Sequence, residues 1–401
     1  MKNFVRCLTV FLAFTATVVA CTSPINLEDT QSSSNPVATA AAMTLQALAP
    51  QDATVSASLL PHPLYFLGND NQALGQIYRL ERDGKTKTQL TSEPLKVWDY
   101  DVSRADGSLA YETNGQLILV NADGSNRRVL VQGAPNPDVG GLYHPTFSPD
   151  GKTLAFAYNG LNLYNISTGV SSQVLTDQLQ DNGSGQMLPV ETYMPERYSP
   201  DGTKLLVALG HWEVSPSHAI YVPTTNALIR QQGVGDSLEC CSYYGGPAWT
   251  PDSSSLYGVA SLHDSAYKFG QLWRIDAANG NITRMLTSGD DLPKQPYLAP
   301  DGQLYFFYGT YSKDSGFFDA PVLQLVRSAP DGVTGRTVLR NENFVLMNEA
   351  LWAPDASFVI VATAIGRDWN QAGGVLELYS IDGQKAKVWL APFGQMMKWG
   401  P

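Results

Sequence analysis

The side chains best suited to chemistry gather in four stretches. His211-Trp212-Glu213 leads on to His218; His263-Asp264 is followed by Tyr267; Tyr311 opens a polar run to Asp319; and Trp369-Asn370 follows Arg367-Asp368. Two or three imidazoles with a carboxylate could hold a transition metal, or pass a proton as acid and base. No spacing among His211, Glu213, His218, His263 and Asp264 sets a ligand geometry, so neither a metal nor a cofactor is expected. Aromatic rings mixed with a few charges suit a binding surface for a protein, peptide or carbohydrate. Its candidate residues are His211, Trp212, His263, Asp264, Tyr267, Tyr311, Trp369 and Asn370. The chain contains no G-x-S-x-G nucleophile elbow and no glycine-rich phosphate loop or dinucleotide fingerprint.

These stretches need a scaffold, and the scaffold is a repeat. Ser148-Pro149-Asp150-Gly151 is a turn by composition, because Pro presets φ, Asp bonds its own backbone and Gly accepts positive φ. The apolar runs Leu154 to Tyr158 and Leu161 to Ile166 follow it, divided by the tight turn Asn159-Gly160. The turn recurs at Ser199-Pro200-Asp201-Gly202, Thr250-Pro251-Asp252-Ser253, Ala299-Pro300-Asp301-Gly302 and Ala353-Pro354-Asp355-Ala356, with a degenerate copy at Ser103 to Gly107. Successive copies lie 45, 51, 51, 49 and 54 residues apart. Four short strands repeated at roughly 40–50 residues predict an all-β fold, a β-propeller.

At these residues the chain resembles the TolB-type, WD-repeat-like propellers, whose repeats carry SPDG followed by a K-x-L-A-F strand and an L-Y strand. Lys152-Thr153-Leu154-Ala155-Phe156 and Leu163-Tyr164 match closely, and Lys204 to Val207 with Ile220-Tyr221 match more loosely. The resemblance covers the repeats only. TolB-type propellers bind partner proteins in the cell envelope, but the α/β domain that precedes the propeller in TolB is replaced here by a short tether. A binding role is therefore what the resemblance implies, and the Tol role itself is not.

The repeats begin out of phase. His62 to Leu67, Gly75 to Leu80 and Lys87 to Thr91 read as the second, third and fourth strands of a unit whose first strand is Met397 to Pro401. Seven blades are expected, with the ring closed by the C-terminal strand, which would hide two strand edges. Aromatic residues at Phe147, Tyr198, Trp249, Trp352 and Trp399 share one repeat position and are expected to wedge between blades. Loops from second to third strands are tight at Asn114-Gly115 and Asn159-Gly160 and longer in the four stretches named first, which places those stretches on one face.

The 401 residues divide by expectation into a signal peptide at 1–20, a disordered tether at 21–60 and the propeller at 61–401. Lys2 and Arg6 precede an apolar stretch too short to span a bilayer, ending Val18-Val19-Ala20-Cys21. That resembles a bacterial lipoprotein signal with Cys21 lipidated, an ordinary signal peptide being the alternative. The expected location is extracytoplasmic, anchored to a membrane through lipid alone. With Cys7 removed and Cys21 lipidated, Cys240 and Cys241 have only each other, as a strained vicinal disulfide or as two inert thiols. A net charge of −11 and the absence of any basic stripe exclude nucleic acid as a partner. The expected function is a non-catalytic envelope module that binds a protein, peptide or glycan on the long-loop face. The alternative is a hydrolase or lyase with a His and carboxylate site on that face.

Overall fold

The computed structural model describes residues 58–134, 142–212, 217–232, 247–260, 271–286, 291–310, 322–364 and 372–401. Every helix or strand among them is a β-strand, and neighbouring strands of each sheet run antiparallel. Turn chemistry sets the units. Gly151 N–H closes the Ser148 turn onto the Ser148 carbonyl at 2.9 Å, with Gly151 at φ 67°, where a Cβ is disfavoured. Ser148 Oγ donates to Asp150 Oδ1 at 2.6 Å and accepts from Thr153 N–H at 3.0 Å. Ser199 and Thr250 repeat the device on Asp201 and Asp252, each at 2.6 Å.

Four-stranded sheets follow from these turns. Val97–Val102, Leu109–Thr113, Gln116–Val120 and Arg128–Gln132 form one, and Thr146–Phe147, Thr153–Ala157, Gly160–Asn165 and Ser171–Thr176 form the next. The sheet led by the long strand Met187–Tyr198 gains a fifth strand, Gln178–Asp181, which the repeat does not anticipate. Two further four-stranded sheets are led by Ala248–Trp249 and Asp291–Leu298. The last sheet joins both ends of the chain. Its strand Val388–Trp399 pairs first with Gly374–Ser380 (Trp389 opposite Glu377) and then with Leu64–Asn69 (Trp399 opposite Leu64).

Strands flanked by sheets on both faces need apolar residues on both. Phe358 to Ala362 are buried without a break. Each core cluster is shared by consecutive sheets: Ala110, Leu117 and Leu119 meet Phe147, Leu154 and Phe156, while Leu206 and Ile220 meet Trp249, Leu256 and Trp273. A further cluster sets Leu64, Phe66 and Leu80 against Ala353, Phe358, Ile360 and Trp399. The five aromatic positions are all buried as expected, Phe147, Tyr198, Trp249, Trp352 and Trp399 being 5–7 % exposed.

The leading strands share one irregularity that matters for function. Register shifts fall between Val97 and Asp99, Pro195 and Arg197, Lys294 and Tyr297, and Met347 and Glu349. Such bulges interrupt pairing and re-aim side chains.

Candidate functional site

The bulged leading strands bring together charged groups that are far apart in sequence. Asp99, His144, Pro195, Glu196, Arg197, Met396 and Lys398 line a cavity of about 210 Å³. His144, held at φ 46°, places Nδ1 3.4 Å from Asp99 Oδ2. The other oxygen of Asp99 accepts the N–H of Tyr100 at 2.7 Å, which fixes the carboxylate. Burial disfavours the imidazolium, but the hydrogen bond and charge of Asp99, with Glu112 and Glu196 behind it, raise the His144 pKa above its ordinary value.

A second pair stands beside the first. In the 187–198 strand Pro195 faces Val207 and Arg197 faces Leu206, so Glu196 is the extra residue and is freed from pairing. Its Oε1 lies 3.2 Å from Nε2 of His218, which is 4 % exposed. Burial pushes the Glu196 carboxyl up, but the charge and hydrogen bond of His218, aided by Arg197 and His144, bring it below the usual range. Reciprocally, burial opposes the His218 imidazolium and Glu196 overcomes it, so its pKa is raised. Lys398 Nζ donates to Asp101 Oδ1 at 2.8 Å and to the Tyr100 carbonyl at 2.6 Å. Asp101 Oδ2 accepts the N–H of Phe147 at 2.7 Å.

Buried acids back this constellation. Glu112, fully buried, accepts the N–H groups of Leu142 and Tyr143 at 2.8 and 3.2 Å, next to His144. Burial raises its pKa. Glu349 accepts Met396 N–H at 2.6 Å and is pushed up to about 7 by burial, against the lowering effect of that and other backbone hydrogen bonds. A larger cavity of about 510 Å³ lies among the turns at Ser148 to Asp150 and Pro200 to Gly202. Its carboxylates, Asp150 and Asp201, are already engaged by Ser148 and Ser199, so it is the poorer place for chemistry.

Of the residues expected at the site, the structure describes His211 and Trp212, whose rings stack at 6.2 Å and 18°. Trp212 is 49 % exposed, and its N–H bonds the Pro189 carbonyl at 3.0 Å. His263, Asp264, Tyr267, Tyr311, Trp369 and Asn370 lie outside the described residues, as do Glu213, Cys21, Cys240 and Cys241. His218 is a correction: it belongs to the strand Ser217–Val222 opposite Ala208, buried in the sheet and not on an open loop. Asp99, Asp101, His144, Glu196, Arg197 and Lys398 were not anticipated. Three of them carried a legible signal as single positions. Asp101, Arg197 and Lys398 each stand one residue before the buried marker at Val102, Tyr198 and Trp399, at the end of a strand where apolar residues prevail. Among the described residues no three His, Cys, Asp or Glu side chains form a group able to hold a metal ion.

No family model matches the chain, and no curated protein matches it in sequence. Solved structures do. An oligogalacturonate lyase in complex with manganese is 13% identical, with a TM-score of 0.53, over 82% of this chain and 85% of that chain. A puromycin hydrolase is 14% identical, with a TM-score of 0.52, over 86% of this chain and 56% of that chain. A TolB from Acinetobacter baumannii is 15% identical over 82% of this chain and 79% of that chain, but its TM-score of 0.41 adds nothing to the fold assignment. At these identities the likeness shows the fold, a β-propeller, and assigns no substrate. It also corrects the expected function. The neighbours sharing the fold at the higher scores are a lyase and a hydrolase, and the cavity holds proton-transfer groups. The expectation of a non-catalytic binding module is therefore not carried forward.

Proposed function

We propose that the protein is a lyase or hydrolase working in the cavity between the leading strands. The observation that carries this is one cavity lined by His144, Asp99 and Glu196 beside Arg197 and Lys398, with His144 paired to Asp99 and with His218, buried outside the lining, paired to Glu196. An imidazole hydrogen-bonded to a carboxylate accepts a proton when neutral and returns it when charged. In an elimination, one couple would take the proton from the carbon next to an acyl group. The bond from the β-carbon to oxygen breaks, a carbon–carbon double bond forms, and the leaving oxygen receives a proton. In a hydrolysis the same couple would take its proton from water. The described residues offer no ligand group for the manganese of the lyase neighbour, so no step is routed through a metal.

The test is turnover by the purified protein on oligogalacturonates, neutral oligosaccharides and peptide arylamides. New conjugated double bonds report elimination, and new reducing ends or free arylamine report hydrolysis. His144→Gln is expected to lower turnover by about 10²–10⁴-fold. If the wild type turns over nothing on the panel beyond the His144→Gln background, the assignment fails.

The scaffold we propose has seven blades, with the 388–399 strand closing the ring; its pairing with both Gly374–Ser380 and Leu64–Asn69 supports this. We further propose that residues 1–20 are a lipoprotein signal and 21–60 a tether from lipidated Cys21, holding the head outside the cytoplasm. Radiolabelled palmitate incorporation that survives Cys21→Ser would overturn the anchor.

A further inference from the structure

One basic side chain of the cavity is left without a hydrogen-bonded acid. Asp99 faces His144, Glu196 faces His218, and Asp101 holds Lys398. Arg197 makes no side-chain hydrogen bond or ion pair among the described residues, although the charges of Glu196 and Asp101 act on it. The one hydrogen bond its residue makes through a polar group other than the sheet pairing is at its carbonyl, which accepts Trp249 Nε1–H at 3.2 Å. Its side chain reaches water, although burial among its neighbours lowers its pKa, and it lines the same cavity of about 210 Å³ as His144, Asp99 and Glu196. A guanidinium carries five N–H donors in a rigid plane that matches a carboxylate two oxygens at a time. Among the described residues no group accepts a hydrogen bond from them. Packing does not call for this residue either: the matching position before the buried marker is Thr146 in the preceding sheet and Ala248 in the following one.

We propose that Arg197 is an anion-binding residue that receives a carboxylate of the substrate, with Lys398 adding positive charge to the same wall. The proposal rests on the cavity being the active site and names its substrate class, a small acid or acidic sugar. The carboxylate would be held two hydrogen bonds deep against Arg197, beside the imidazoles that move protons. In an elimination this has a direct consequence. Negative charge that develops on a carboxylate when the neighbouring carbon loses its proton would be met by a guanidinium whose donors no described residue occupies.

The experiment is calorimetric titration of the full chain with D-galacturonate and with D-galactose, which differ at the carboxylate. Binding of the acid at least 10-fold tighter than the neutral sugar is expected. Arg197→Gln should weaken the acid at least 10-fold and leave the neutral sugar unchanged. Arg197→Lys should fall between, because it keeps the charge but loses the fork. As the Arg197 side chain makes no hydrogen bond or ion pair among the described residues, both variants are expected to stay folded, which their melting curves check. Equal affinity for the two sugars, or wild-type affinity for the acid in Arg197→Gln, overturns the proposal. Acid binding that persists in His144→Gln while turnover is absent even in the wild type would sink the enzymatic assignment and keep the anion site. Turnover on neutral substrates, indifferent to Arg197, would do the reverse.

Discussion

Replacing Trp399 with alanine should destabilise the protein far more than the same change at Trp389, although both residues lie on the strand Val388–Trp399. Trp399 is 5 % exposed and sits opposite Leu64, so it anchors the last strand to the first. Its indole Nε1–H donates to the Trp352 carbonyl at 2.7 Å, and its ring meets Phe358 edge-on at 6.1 Å. Emptying such a site costs about 3–5 kcal/mol, including the buried carbonyl left without its donor. Unfolding entropy near 2.1 cal/mol/K per residue, over roughly 340 folded residues, makes each kcal/mol worth about 1.4 °C. Trp399→Ala should therefore melt about 4–7 °C below the wild type. Trp389 is 59 % exposed, so Trp389→Ala should shift stability by no more than about 0.5 kcal/mol, under 1 °C. Differential scanning calorimetry at one pH and scan rate decides it. A Trp399→Ala midpoint within 1 °C of that of Trp389→Ala would refute the idea that pairing of the two chain ends holds the domain together.

Three further outcomes follow from named contacts. Glu196→Gln leaves His218 buried without its counter-charge and should cost about 1–3 kcal/mol. In the wild type the contribution of that pair is greatest between the ordinary Glu and His values of 4.5 and 6.5. It fades as pH falls through the lowered Glu196 pKa and as pH rises through the raised His218 pKa, a profile that urea titrations across pH should lose in the variant. Glu349, raised to about 7, favours its neutral form in the folded state. Its contribution is therefore full below 4.5 and is lost as pH rises through about 7; Glu349→Gln should flatten the melting temperature across that window, and an unchanged slope would count against it. Ser148→Ala removes the hydroxyl that links Asp150 to Thr153 and should cost about 1 kcal/mol by denaturant unfolding, a loss that Ala299 and Ala353 show the fold tolerates at equivalent turns.

Local chemistry was legible in the chain itself. The Ser-Pro-Asp-Gly turn needs only its own residues: a hydroxyl for Asp150, a fixed φ at Pro149 and a left-handed Gly151. Runs such as Phe358 to Ala362 announce strands covered on both faces, and the spacing of the turns announces repeated sheets. The partnership of Met397 to Trp399 with the first strand could also be read, because the same turn-preceding aromatic recurs there. The assembly of the proposed active cavity could not. Asp99 and Lys398 are separated by almost the whole folded chain and become neighbours only when the first and last strands pair. Glu196 reaches His218 because a bulge removes it from its ladder; Pro195 marks an interruption there, but which residue is freed and what it meets depend on the pairing with the 205–210 strand. Histidine and aromatic content drew attention to the long loops, where composition is conspicuous. Proton chemistry depends on burial and on ångström-scale distances between charges, and those are properties of sheets meeting in space, not of neighbours along the chain.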